Sequence, residues 1–196
     1  FATASTQPHC DQVSFVNRTG WNASEPTSIT NLTGEPLSFY VIHHTYQLEG
    51  KFSIEIKRSN KTHSIHSCYD DQTCIQRVQQ IQRFHQNDRG WDDIGYHFLI
   101  GENGKVYEGR GWNRQAAHSR GWNRDAYGKK FHKIIYRFVV LSGICIIGDF
   151  RTSPPNQTAL DALQAWISCG IKQGYVQENY YIITHRQSQR PNYTEW

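Results

Sequence analysis

The chain closes on ITHRQSQRPNYTEW, where His185 follows the apolar run of YYIIT. Two more histidines, His43 and His44, end the apolar run of VIHHT, and His118 stands in AAHSRGWN. A histidine so placed is either one leg of a metal site or what is left of one, and whether the protein cleaves bonds depends on which. No cysteine follows Cys169. The plain alternative for each histidine is a hydrogen-bonded structural residue; for His118 it is surface polarity.

The elements that must position these residues show in the periodicity. SFYVIHHT, Ser38 to Thr45, is dense in aromatic and β-branched residues and predicts a buried strand. Between Gln72 and Asn87 the apolar positions Ile75, Val78, Ile81 and Phe84 recur at helical spacing, and Gly90 ends the pattern. IGYHFLIG and KVYEGRGW flank Glu102-Asn103-Gly104, predicting two strands joined by an Asn-Gly turn. GICIIGDF from Gly143 reads as a further strand. After Pro154-Pro155, Leu160, Leu163, Ile167 and Ile171 predict a second amphipathic helix, and YYIIT from Tyr180 a last strand running into His185. Strands interleaved with helices indicate an α/β architecture around a central sheet.

Residues 1–36, rich in Ser, Thr and Asn, read as an irregular arm tied down by Cys10, leaving 37–196 as one domain. Two stretches are too long for ordinary connections, which run about 4–6 residues: 46–67, where Phe52, Ile54 and Ile56 alternate as in a strand, and 124–142. In the second, Phe131, Ile134, Ile135 and Phe138 mark one helical face and Lys130, Lys133 and Arg137 the other, predicting a helix whose basic side is a solvated surface.

A chain of 196 residues with net charge +4 from 21 basic and 17 acidic residues carries no dense Lys/Arg tract, so a nucleic-acid partner is not expected. Six Asn-x-Ser/Thr sequons, at Asn17, Asn22, Asn31, Asn60, Asn156 and Asn192, point to an extracellular glycoprotein, although any one could be an unused triplet. Five cysteines, Cys10, Cys68, Cys74, Cys145 and Cys169, agree with an oxidising compartment, with one left over from pairing. No apolar run reaches membrane-spanning length, so membrane attachment is expected only through a segment not present here.

Taken in order, VIHHT, CIQRVQQIQRFHQNDRGWDDIGYHFLIGENGKVYEGRGWN, AAHSRGWN, SGICIIGDF and THRQ resemble the peptidoglycan recognition protein (PGRP) domain, related to T7 lysozyme-type zinc amidases, from about Ser38 onward. The long insertions narrow the resemblance to an insect receptor ectodomain of the family. The resemblance implies a mixed central β-sheet flanked by about three helices, with two insertions bordering a groove. It also implies a Cys68–Cys74 disulfide before the first helix and a Cys10–Cys169 disulfide; Cys145, inside a strand, is expected to be packing.

Amidases of the family bind zinc through the first histidine of VIHHT, the histidine of HR and a cysteine eight residues later, with a tyrosine of IGYHF assisting the bound water. Those positions fall on His43, His185, Tyr193 and Tyr96. Catalytic zinc takes about three protein ligands and an open position for water. A neutral phenol, with a pKa near ~10, is a poor substitute for a thiolate. With two imidazoles left, the metal would be weakly held and its water poorly activated. The resemblance therefore implies vestigial zinc positions, no cofactor and no catalysis, with a zinc amidase as the disfavoured alternative.

Groove-wall candidates by the same correspondence are His44, Asn113, Arg114 and His118. The insertions border the groove and are expected to fill or lid it, with Asn60 adding a glycan to the rim. The competing reading folds them outward and leaves a direct peptidoglycan receptor. A closed groove would leave the domain to cap a muropeptide held by another PGRP-family domain, as co-receptor in a heterodimer at the cell surface, touching the peptidoglycan fragment only indirectly. Trp91, Asp92 and Arg89, after the first helix, are candidate contacts for that partner, Trp91 as an aromatic anchor. The alternative for Trp91 is a core residue.

Overall fold

A computed structural model describes residues 10–32, 36–45, 67–119, 123, 130–131, 134–135 and 141–188. A short 3-10 turn at Cys10–Gln12 precedes β1 (Phe15–Val16) and β2 (Leu37–His44). Then come α1 (Asp71–Arg83), widening into a π turn at Phe84–Asp88, and the strands β3 (Phe98–Ile100) and β4 (Val106–Glu108). The rest comprises β5 (Lys130–Phe131), β6 (Ile134–Ile135), β7 (Leu141–Ile146), α2 (Gln157–Lys172), β8 (Val176–Thr184) and α3 (His185–Ser188). Six strands form one sheet in the order β1-β4-β3-β7-β2-β8, antiparallel only between β3 and β4. The mixed sheet with three helices is the architecture the resemblance implies.

Each helix starts where a side chain can take up a free amide. Asp70 Oδ1 accepts from Thr73 N at 2.8 Å and caps α1, which buries Cys74, Val78, Ile81 and Gln82. Asn156 Oδ1 accepts from Ala159 N at 2.8 Å and caps α2. The buried seam of α2 is Ala159, Ala162, Trp166, Ile167, Cys169 and Gly170, while Leu160, Leu163 and Ile171 of the expected stripe are only half-buried. Small residues won the seam because bulk comes from the other side: a Cβ on Gly170 would lie 2.6 Å from both Trp112 and the Tyr40 hydroxyl. The Phe15, Trp166, Trp112 and Tyr175 rings stack in succession at 5.0, 5.5 and 5.3 Å.

Two expectations are corrected. The arm is not irregular throughout: Phe15 and Val16 pair in parallel with Val106 and Tyr107, and Trp21 is fully buried with its Nε1 donating to Glu108 O at 2.8 Å. Arg18 holds buried Asp93 at 2.9 Å. A two-residue strand is too short to show an alternation, which is why the sequence hid it. The helix expected within 124–142 is likewise replaced, where the structure describes it, by an antiparallel pair of β5 and β6, Lys130 facing Ile135 and Phe131 facing Ile134. Ile134 and Ile135 are β-branched and suit strands, and the spacing of Phe131, Ile134 and Ile135 fits a hairpin as well as a helix. Of the insertion at 46–67 only Ser67 is described, so its expected strand and Asn60 lie outside the described residues.

Both implied disulfides form, Cys10–Cys169 and Cys68–Cys74, and Cys145 is a free, buried thiol on β7. The turn between β3 and β4 runs from Gly101 to Lys105, with Gly104 at φ 75° and its amide donating to Gly101 O at 3.0 Å.

Candidate functional site

Neighbouring residues on a strand face opposite sides of the sheet, and β2 sorts its two histidines by this rule. Phe39, Val41 and His43 lie opposite Leu141, Gly143 and Cys145 of β7, and Phe39 and Val41 opposite Tyr181 and Ile183 of β8. His44 faces away, where its Nδ1 accepts from Phe150 N at 3.3 Å beside the Phe150 ring. The groove-wall expectation for His44 is thereby corrected: the strand alternation turns it to the α2 side.

On the His43 side four imidazoles gather. The His43 ring lies 4.9 Å from His118 and 4.5 Å from His185, and His118 lies 5.6 Å from His97. His43 Nε2 and His118 Nδ1 are 2.9 Å apart, so one proton is shared along that line. His97 is fixed at both nitrogens, Nδ1 accepting from Gly143 N at 2.9 Å and Nε2 donating to Arg114 O at 3.0 Å. His185 begins α3 rather than ending β8. Burial is the main force on their protonation. It drives His43 and His118 well below the ordinary imidazole range, with neighbouring histidines adding to it, takes His97 to about 3 with Arg110 adding, and lowers His185 with His44 adding. All four are neutral donors and acceptors at pH 7.

Tyr96 lies 5.3 Å from His43, but its side chain is hydrogen-bonded with Cys145, and burial pushes its pKa up. The Cys145 thiol is also held neutral by burial. A zinc centre does not fit the donors described. His43 Nε2 is engaged by His118, four cysteines are tied in disulfides, and the fifth stays protonated. Among the described residues no three His, Cys, Asp or Glu side chains are disposed to hold a metal ion. Tyr193 and Asn192 lie outside the described residues.

The remaining expected residues scatter. Asn113 is exposed and Arg114 half-buried; their carbonyls take Leu32 N and His97 Nε2, so this segment braces the arm and the histidines through its backbone. Trp91 is half-buried and stacks on His85 at 4.6 Å, closer to the core reading than to a free anchor. Asp92 is exposed, accepting from Thr27 N at 2.9 Å, and Arg89 lies over the Phe84 ring at 5.2 Å. Asn17, Asn22 and Asn31 are exposed, as glycan acceptors must be. Asn156 is half-buried; its Nδ2, the atom a glycan would occupy, donates to Glu102 O at 2.9 Å while its Oδ1 caps α2.

Residues the sequence did not mark out include His97, Gly143, Ser119 and Ser188. His97 could have been flagged beside Tyr96, whereas the serines carry no local signal. Within this group His43 and His118 are each only 7% exposed, while Tyr96 and His185 are half-buried. An open cleft of about 430 Å³ lies elsewhere, between Gln12–Ser14, Gly104 and the Thr158–Ala165 side of α2.

Residues 33–194 match the model of the N-acetylmuramoyl-L-alanine amidase family. The chain is 33% identical over 172 residues to the peptidoglycan recognition protein of Trichoplusia ni, covering 88% of this chain and 76% of that relative. The chain belongs to the peptidoglycan recognition protein family. PGRP-LB of Drosophila melanogaster is 33% identical over 88% of this chain, which spans only 60% of that relative's length. Among solved PGRP structures, the complex of tracheal cytotoxin with the ectodomains of PGRP-LCa and PGRP-LCx matches with a TM-score of 0.71 at 29% identity, covering 90% of this chain and 87% of the matched one.

Proposed function

We propose that this PGRP domain is a non-catalytic immune-recognition ectodomain, a co-receptor that pairs with a muropeptide-loaded PGRP domain to sense bacterial peptidoglycan fragments. The observation that carries the reading is the burial of His43 and His118 and the bond between them, which leaves neither imidazole presented to a peptide or a metal ion. Absence of catalysis is further supported by the sequence, which places Tyr193 where amidases of the family carry their cysteine ligand. The two disulfides and the exposed Asn17, Asn22 and Asn31 support an extracellular setting, with membrane attachment through a segment outside this sequence. Among the described residues no helix is long and apolar enough to cross a membrane.

A receptor whose own groove is closed can still cap a ligand held by a homologue. That use is supported by the matched complex, in which two PGRP ectodomains assemble with tracheal cytotoxin. The narrower likeness to PGRP-LCa rests on the insertions at 46–67 and 124–142. Sedimentation of this domain with a second PGRP domain checks the reading. Assembly is expected only when the second domain carries a muropeptide; equal assembly with and without muropeptide, or none in either case, would contradict it.

A further inference from the structure

β8 is the last strand of the sheet, and among the described residues it pairs with β2 alone. Its ladder with β2 shifts between Val176 and Tyr181 and then runs without interruption from Tyr181 to Thr184. Backbone amides along a strand point alternately to its two sides, so every second residue of that stretch turns its N–H and carbonyl away from β2. Such an edge accepts another strand unless something blocks it, and native sheets block theirs with charge, proline or a very short strand. YYIIT, from Tyr180 to Thr184, has no charge and no proline. Its most exposed large side chains are apolar, Tyr181 at 53% and Ile182 at 52%. Tyr181 sits on the histidine side of the sheet, where it stacks on Phe39 at 5.0 Å, and Ile182 on the α2 side, opposite Tyr40. Exposure on both faces at once places the missing cover along the edge and not over either face.

We infer that this edge is a homodimer interface: a second copy of the chain lays its own β8 antiparallel against the first, about a two-fold axis that passes through Ile182 perpendicular to the sheet. With Ile182 on the axis, Tyr181 of each copy faces Ile183 of the other and Tyr180 faces Thr184. Each opposed pair then lies on one face of the sheet, as antiparallel strands require. The same register carries Glu178, the strand's one charged residue, towards Arg186 of the second copy, and the two-fold repeats that pair at the other end. Moving the axis to Tyr181 or Ile183 would bring Glu178 to Thr184 or Ser188 instead, so charge complementarity selects Ile182. An isologous contact of this kind uses one patch twice and closes on two copies. The association needs no muropeptide and stands apart from the co-receptor reading.

Sedimentation equilibrium of the intact domain, without muropeptide and at concentrations up to about 1 mM, is the test. A reversible dimer is expected, and Ile182→Lys, which sets two ammonium groups at the axis, is expected to leave only monomer. Ile29→Lys is the control: Ile29 is comparably exposed at 50% but lies in the arm, and its variant should dimerise like the wild type. Glu178→Arg and Arg186→Glu should each raise the dimer dissociation constant about tenfold, since each sets like charges together at both ends of the contact. The double variant exchanges acid and base, restores the pairing, and should return the constant to near the wild-type value. That recovery cannot come from misfolding, so it decides the matter if Ile182→Lys fails to fold. A wild-type domain that stays monomeric over the whole range overturns the inference and leaves the edge to a strand from another protein. A dimer untouched by Ile182→Lys, or a double variant as weak as the single ones, overturns the pairing through β8.

Discussion

His85, buried at the end of α1, accepts Gly95 N on its Nδ1 at 3.0 Å beneath the Trp91 ring. Burial, with Arg110 and Arg89 adding, lowers its pKa from 6.5 to about 3. A depressed imidazole stabilises the fold fully only above pH 6.5. Between 6.5 and about 3 the unfolded chain binds the extra proton, so stability falls as pH falls. One such group contributes a slope of about 1.4 kcal/mol per pH unit across that window. His85→Gln is expected to flatten the decline of unfolding free energy between pH 6 and 4 by roughly that amount, read from urea titrations at each pH; an unchanged slope would count against it. At this scale the sequence was partly legible. His43, His185 and Tyr96 could be placed in one region by resemblance, whereas the partnership of His43 with His118 spans 75 residues and no spacing rule reaches that far.

The elements were legible where burial follows a simple period. β2 announced itself through SFYVIHHT, and α1 through Ile75, Val78 and Ile81. α2 was found but its face was misread, because Ala159, Ala162 and Gly170 make room for Tyr40 and Trp112 and so hold the seam in place of the leucines. The β5–β6 pair was hidden since Phe131, Ile134 and Ile135 satisfy two periods at once. The capping role of Asn156 was not legible, because a sequon carries no information about caps. Its capping bond and its bond to Glu102 make a prediction for α2: Asn156→Ala should cost about 1 kcal/mol or more of stability, measured by denaturant midpoint. Asn156→Asp, which keeps the cap acceptor, should recover most of it. Equal loss in both variants would show that the Glu102 contact, not the cap, is what matters.

At the scale of the molecule, α2 packs on one side of the sheet and α1 with the histidines on the other, and the arm contributes to both, Cys10 and Val13 to the first and Val16 and Trp21 to the second. The arm is clamped by Cys10–Cys169, by β1 against β4, and by Arg18 on Asp93, so the sheet is completed by residues that precede the motifs legible from Ser38 onward. Family membership then accounts for the general architecture. In the floor between β2, β7 and α3, His43 and His118 bond to one another and are buried. On the reading proposed above, such a domain contributes surface to an assembly rather than a pocket to a ligand. Calorimetric titration with a defined muropeptide, first of the isolated domain and then with a second PGRP domain present, tests this most directly. No saturable heat is expected from the domain alone, and a saturable signal beyond the second domain's own is expected from the mixture; tight binding by the isolated domain would contradict the account.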